Sequence, residues 1–239
     1  MNNSFSRIYW INIILCLLII LPYKLSRGEN PNKFDNFQKD NFKILKNHPH
    51  LKRPLVVTPM GSVSPLYVQW VKKSLNETYK MPVKVEKSLP IRPDHYYTQE
   101  GKKNRINASK ILKEFNSTKY IPIFITETDI AIDKKLKNGK QIIGYGIIGL
   151  GLRPEDLTRI SNSCIIVSTY RIKNTKSTET TRNRLQKAVI HEVGHNLSLP
   201  HCNNQKCVMV DAKGKVSTID NAKKSFCKNC ANTIKEYLK

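Results

Sequence analysis

A chain of 239 residues holds one domain, at most two, with ample sequence to bury a core. At 39% hydrophobic, 25% charged and 8% aromatic residues it is neither a disordered tail nor a multi-span membrane protein. Lys+Arg number 41 against 18 Asp+Glu, a formal charge of +23, yet the lysines are scattered rather than gathered into a basic block, so no specific nucleic-acid partner is expected.

The N-terminus has the layout of a signal peptide: Arg7 supplies a positive charge, Ile8 to Leu21 is almost entirely apolar, and Ser26-Arg27-Gly28 offers small residues at the end. Fourteen residues make only ~21 Å of helix against a ~30 Å hydrocarbon core, which disfavours a simple membrane span. Residues 1–28 are therefore read as a signal peptide, with an uncleaved anchor as the alternative because no A-x-A site is present. The expected location is exported, secreted or periplasmic, or membrane-anchored if the segment stays. Residues 29–52, polar and rich in Asn and Lys, read as a linker.

From Arg53 onward, strands and helices alternate. Leu55 to Thr58 is a short apolar strand, and Ser64-Pro65 supplies an N-cap and a first-turn proline for a helix. Tyr67, Trp70, Val71 and Leu75 recur at three- and four-residue spacing, so Trp70 is expected in the core. Val83 to Val85 reads as a strand, Ile106 to Phe115 as a helix, and Ile121 to Thr126 as a buried strand. Gly144, Gly146, Gly149 and Gly151 sit in an apolar strand pattern with no helix start after them, which points to a glycine-interrupted hairpin and not a phosphate loop. Cys164 opens the buried strand Ile165 to Val167, where a small core thiol is expected, and Thr178 to Leu197 reads as a long helix. The order predicts an α/β fold: one compact domain over 53–239, with a mixed sheet, an active-site helix and a cysteine-bearing tail.

The chemistry concentrates in His191-Glu192-Val193-Gly194-His195-Asn196-Leu197-Ser198-Leu199-Pro200-His201. Residues four apart on a helix share a face, so His191 and His195 can ligate one ion, with His201 as third ligand after a turn. Glu192 lies beside that face as a general base for a metal-bound water, and three neutral histidines leave zinc's fourth position open. The chain has only six histidines, and His48, His50 and His95 are assigned no role. Cys202, Cys207, Cys227 and Cys230 crowd the tail as C-x4-C and C-x2-C, close to the paired knuckles of a zinc site.

These residues together resemble the archaemetzincin family, whose pattern H-E-x-x-H-x5-H-C-x4-C-x-M-x17-C-x2-C is matched in register by His191, Glu192, His195, His201, Cys202, Cys207, Met209, Cys227 and Cys230. The likeness extends upstream through Tyr120 to Ile123, Asp129-Ile130 and Val167 to Arg171. It implies a metzincin-like protease domain, a catalytic zinc, Met209 as the methionine beneath it, and a second, structural zinc on the four cysteines. One position departs: metzincins commonly carry glycine where this chain has Ser198, which puts the turn geometry in question.

The expected activity is therefore zinc-dependent hydrolysis of peptide bonds, on a peptide or protein substrate and by a monomer. The alternative is a catalytically weak or inactive zinc-binding module that docks on nucleic acid or anionic surfaces, a reading that gives Glu192 no purpose. Export sets one tension, because an oxidising compartment favours pairing the tail cysteines as disulfides.

Overall fold

The computed structural model describes residues 53–151, 163–197 and 199–238, with side chains to residue 235. The expected leader, the expected linker and Ser198 lie outside the described residues.

Strand β1 (Leu55–Pro59) is buried along its whole length because it runs between two parallel neighbours, β2 (Val83–Val85) and β4 (Ile121–Thr126). With β8 (Ile165–Ser168) and β7 (Gly149–Gly151) they form a five-stranded sheet in the order β2-β1-β4-β8-β7. The first four are parallel and β7 is antiparallel, so the sheet is mixed as expected. Strands covered on both faces need no polar side, which is why β4 and β8 are continuous apolar runs. Pro122 is tolerated inside β4 because pairing with β8 begins only at Ile123.

Helix α1 (Pro65–Tyr79) packs against helix α3 (Thr178–Asn196), and α3 in turn lies on β7 and β8. On the opposite parity of the strands, Phe124 and Ile166 join Met60, Ile111 and Ile130 in a core closed by helix α2 (Ala108–Glu114). A second, three-stranded sheet orders β3 (Ile106–Asn107), β5 (Ile130–Lys135) and β6 (Gln141–Ile147) as β3-β5-β6. The tail carries α4 (Val216–Asn221) and α5 (Lys228–Leu238). Among the described residues no helix is long and apolar enough to cross a membrane.

Four local expectations change. The helix expected from Ile106 begins at Ala108: Ile106 and Asn107 pair with β5 instead, and the Asn107 side chain accepts from Lys110 N–H at 3.1 Å as the N-cap. The Ser64 hydroxyl makes no cap bond; the Ser64 backbone N–H donates to Glu127 Oε1 at 2.9 Å, so a neighbouring loop fixes the helix entry. Trp70 is half-buried, its ring tilted on Tyr67, because the inward stripe of α1 runs through Tyr67, Val71, Ser74 and Leu75. The glycine-rich stretch is not one hairpin: β6 pairs with β5 in the small sheet, and two residues later β7 joins the large sheet against β8.

Cys164 is a buried core thiol whose pKa burial pushes up. His95, also buried, stands edge-on to Phe115 and has no part in the site. Its Nδ1 accepts from Arg92 N–H at 3.2 Å and its Nε2 donates to Glu114 at 3.2 Å, so neither nitrogen is left for a metal.

Candidate metal centre

Helix α3 is started by Ser177, whose hydroxyl accepts from Thr180 N–H at 3.1 Å, and it ends where the Leu199 N–H reaches back to Gly194 O at 2.9 Å. That closure turns the chain under the helix end. His201 is thereby returned to the face that carries His191 and His195, and the three rings stand 4.5 to 5.3 Å apart, centroid to centroid. One ring nitrogen from each lies within 4.8 Å of the others, as the spacing predicts.

Carbonyl oxygens fix which nitrogens face inward. His191 Nδ1–H donates to Val208 O and His195 Nδ1–H to Leu199 O, both at 2.8 Å; a carbonyl can only accept, so each neutral ring presents its Nε2 lone pair. Those two Nε2 atoms are 2.9 Å apart, closer than two lone pairs rest without a cation or proton between them. The spacing is a few tenths of an ångström below the ~3.3 Å edge of a tetrahedron with zinc–nitrogen bonds of ~2.0 Å. Asp211 stands 3.7 Å from His201 Nδ1, beyond hydrogen-bond length.

A single short segment supports two of the three histidines. Val208 O holds His191, Met209 O accepts from Cys202 N–H at 2.8 Å beside His201, and Asp211 faces His201. Glu192 lies against β7, where a Cβ on Gly149 would stand 2.7 Å from Glu192 Oε1. Only glycine lets the edge strand come this near the carboxylate. Tyr79 donates from α1 to Ile190 O at 2.5 Å, and burial, then the Glu192 charge, push its phenol pKa well up.

The four tail cysteines converge as well, with their Sγ atoms within 4.8 Å of one another. Cys202 and Cys227 Sγ are 3.8 Å apart, far beyond the ~2.05 Å of a disulfide and equal to the ~3.8 Å edge of a tetrahedron with ~2.3 Å zinc–sulfur bonds. Asn204 N–H points at Cys202 Sγ at 3.4 Å and Cys227 N–H at Cys207 Sγ at 3.3 Å. Adjacent residues, His201 and Cys202, thus belong to different clusters.

The histidines, Glu192 and Asp211 border a cavity of about 1010 Å³, whose other walls include β6, β7, the segment 208–214, and Arg105 and Arg171. Sequence reasoning did not reach Asp211 or the Val208 carbonyl; it placed Asp129 and Arg171 within the family likeness but not their pairing beside this cavity. The carbonyl has no residue-type signature, and the other contacts are set by the fold.

The family model described as Peptidase family M54 matches residues 156–236. The chain is similar to the archaemetzincin of Methanocaldococcus jannaschii, at 26% identity over 187 residues, covering 76% of this chain and 93% of that one. The Saccharolobus solfataricus archaemetzincin is 46% identical over 56 residues, 23% of this chain and 30% of that protein. Among solved structures, the archaemetzincin of Archaeoglobus fulgidus complexed with malonate superposes with a TM-score of 0.59 at 23% identity, covering 75% of this chain and 99% of that one. The Methanopyrus kandleri archaemetzincin gives 0.59 at 18%, covering 80% and 97%. The mixed α/β fold is that of the archaemetzincin structures. The family model and the relatives support a zinc-dependent peptidase, a hydrolase.

Proposed function

We propose that this chain is a metzincin-like zinc peptidase in which His191, His195 and His201 hold the catalytic ion, Glu192 manages the proton, and Cys202, Cys207, Cys227 and Cys230 hold a second, structural zinc. The observation that carries the reading is the 2.9 Å approach of two Nε2 lone pairs whose Nδ1 partners are fixed on carbonyls. That donor set suits neutral imidazole ligation of a divalent cation.

When bound, zinc supplies Lewis acidity toward a substrate carbonyl and toward water. Glu192, set between two ligands on α3, accepts a proton from the attacking water as it adds to the scissile carbonyl carbon. It then delivers that proton to the departing amine as the carbon–nitrogen bond breaks. Strand β7 borders the same cavity, so an extended peptide can lie along it with its backbone satisfied. His191 and His195 keep their orientation throughout, because their Nδ1–H groups stay on Val208 and Leu199. Two neutral residues of the wall, Gly149 and Gly151, leave room for the Glu192 carboxylate to work.

The four-cysteine cluster has no histidine and no water-bearing position, which suits a closed structural site that ties the end of α3 to the tail. Export of the chain through its apolar N-terminal segment belongs to the same reading. N-terminal sequencing of the protein from its native source distinguishes a cleaved leader from an anchor.

The test is metal removal. Elemental analysis should give two zinc ions per chain, and chelation should abolish hydrolysis of a peptide pool, with zinc restoring it. One zinc accompanied by two disulfides would replace the tail site by an oxidised staple. Hydrolysis that persists after complete removal of zinc would overturn the peptidase reading.

A further inference from the structure

The cavity wall opposite the helix carries more positive charge than the fold needs. Asp129, 7% exposed by its side chain, is shared by two arginines. Arg171 Nε and Nη2 donate to its two oxygens, each at 2.7 Å, while Arg105 Nε lies 2.9 Å from Oδ2. One carboxylate cancels one of two guanidinium charges. Arg105 also donates through Nη1 to Gly144 O at 2.8 Å, and both arginines border the cavity that contains Glu192 and the three histidines.

The excess is increased by the neighbours. Lys102 lies along Gly144, and Lys134 sits 4.3 Å over the Tyr145 ring, both on the same cavity. Asp133 gives an oxygen to Gly144 N–H at 3.0 Å and does not border the cavity. Four cations therefore face this part of the cleft, and among the described residues Asp129, itself nearly covered, is the carboxylate paired with the two arginines. Room for Arg171 is built into the strand: a Cβ on Gly146 would stand 1.8 Å from Arg171 Nη2.

Building on the peptidase reading above, we infer that the Arg171–Arg105 wall, with Lys102 and Lys134, binds a carboxylate of the substrate, making this a peptidase selective for peptides acidic near the cleaved bond. A fixed, planar guanidinium braced by Asp129 is preorganised for a carboxylate and loses little freedom on binding it. The distance from the scissile bond follows from the strand. Gly146 lies against Arg171 and Gly149 against Glu192, three residues apart and so at most about 11 Å between Cα atoms. An extended substrate covers that span in about three residues, which places the carboxylate within three positions of the cut. The carboxylate comes either from an Asp or Glu side chain or from the free C-terminus of a short peptide.

The experiment uses the full zinc-loaded protein and quenched fluorogenic peptides in two series. In the first, with both ends blocked, Glu replaces Gln at each of three positions on either side of the bond. In the second, neutral peptides carry a free or an amidated C-terminus. Wild type should favour the carboxylate member of at least one series by about tenfold or more in kcat/KM, mainly through KM, with the advantage shrinking in high salt. The first series reports a side-chain carboxylate, the second a terminal one. Arg171→Lys, which keeps the charge and loses the fork, should reduce the preference. The paired change Asp129→Asn with Arg171→Gln avoids leaving a buried carboxylate unpaired, and it should lower the preference further in a protein of wild-type zinc content. Equal cleavage of acidic and neutral peptides by the wild type would overturn the inference and leave the peptidase standing. A preference unchanged in both variants would overturn it too. If no peptide in either series is cut, both readings fall together.

Discussion

The thioether of Met209 fills the space that a side chain at Gly194 would require. A Cβ there would stand 2.5 Å from Met209 Sδ and 3.0 Å from its Cε. Gly194 lies within α3 between Glu192 and His195, where glycine costs about 1 kcal/mol relative to alanine, so the contact offsets a real loss of helix stability. The methionine is fully buried and brings with it the segment that holds His191 and faces His201.

Gly194→Ala should therefore destabilise the protein despite its better helix propensity. Overpacking on this scale costs about 1–3 kcal/mol, and the displaced Val208 carbonyl should weaken zinc binding as well. Met209→Ala opens a cavity alone, but in that background Gly194→Ala should cost little or be favourable. A double-mutant cycle in thermal or urea denaturation reads the coupling, and additive effects would show that the two residues do not compete for this space.

Tyr79 is a support of a different kind. Its hydroxyl reaches from α1 to Ile190 O, next to the first histidine ligand, and is fully buried there. Tyr79→Phe should lower stability by about 1 kcal/mol, equivalent to roughly 2–4 °C in Tm for a domain of this size, with two zinc ions retained. Loss of zinc from the Phe variant would show that this bond sets the ligand geometry and not merely the packing of α1 on α3.

Arg184 fixes α4 to α3 through Asp220, with Nε and Nη2 at 2.7 and 2.6 Å from the two carboxylate oxygens. The hydrogen bonds from Arg184 hold the Asp220 pKa below its ordinary value, against the opposing effect of burial. A depressed folded-state pKa gives stability that is fully present above the unfolded value near ~3.9 and is lost as pH falls through the folded one. Asp220 is 41% exposed by its side chain, so solvent screening limits the effect. Arg184→Gln should cost no more than about 1 kcal/mol at neutral pH, and the difference from wild type should disappear once the pH has fallen through the depressed folded-state value of Asp220. A deficit that persists in strong acid would assign it to packing of the Arg184 stem.

The strands and the long helix were legible because their signals are local. Leu55 to Thr58, Ile121 to Thr126 and Ile165 to Val167 are apolar runs of strand length, and the histidines of α3 are fixed by helical period alone. What the sequence did not carry depends on partners. Ile106 looks like the first residue of a helix until β5 is present to pair with it. The glycine stretch reads as one strand pattern, and only the meeting of two sheets divides it into β6 and β7. The orientation of His191 and His195 rests on two backbone carbonyls that no residue type announces. The extra charge at Arg171 becomes visible only when Arg105, 66 positions earlier, is found on the same carboxylate.

The central claim is that Glu192 does chemistry at an ion held by histidines, and one comparison tests it most directly: zinc content and peptide turnover measured side by side in Glu192→Ala and His191→Ala. Glu192→Ala should keep its zinc, because the ligand set and the Val208 and Leu199 contacts are untouched, and lose at least about 10²-fold in turnover, the lower end for removing a general base. His191→Ala should lose the catalytic zinc while keeping the tail site. Wild-type turnover in Glu192→Ala, with zinc in place, would contradict the account.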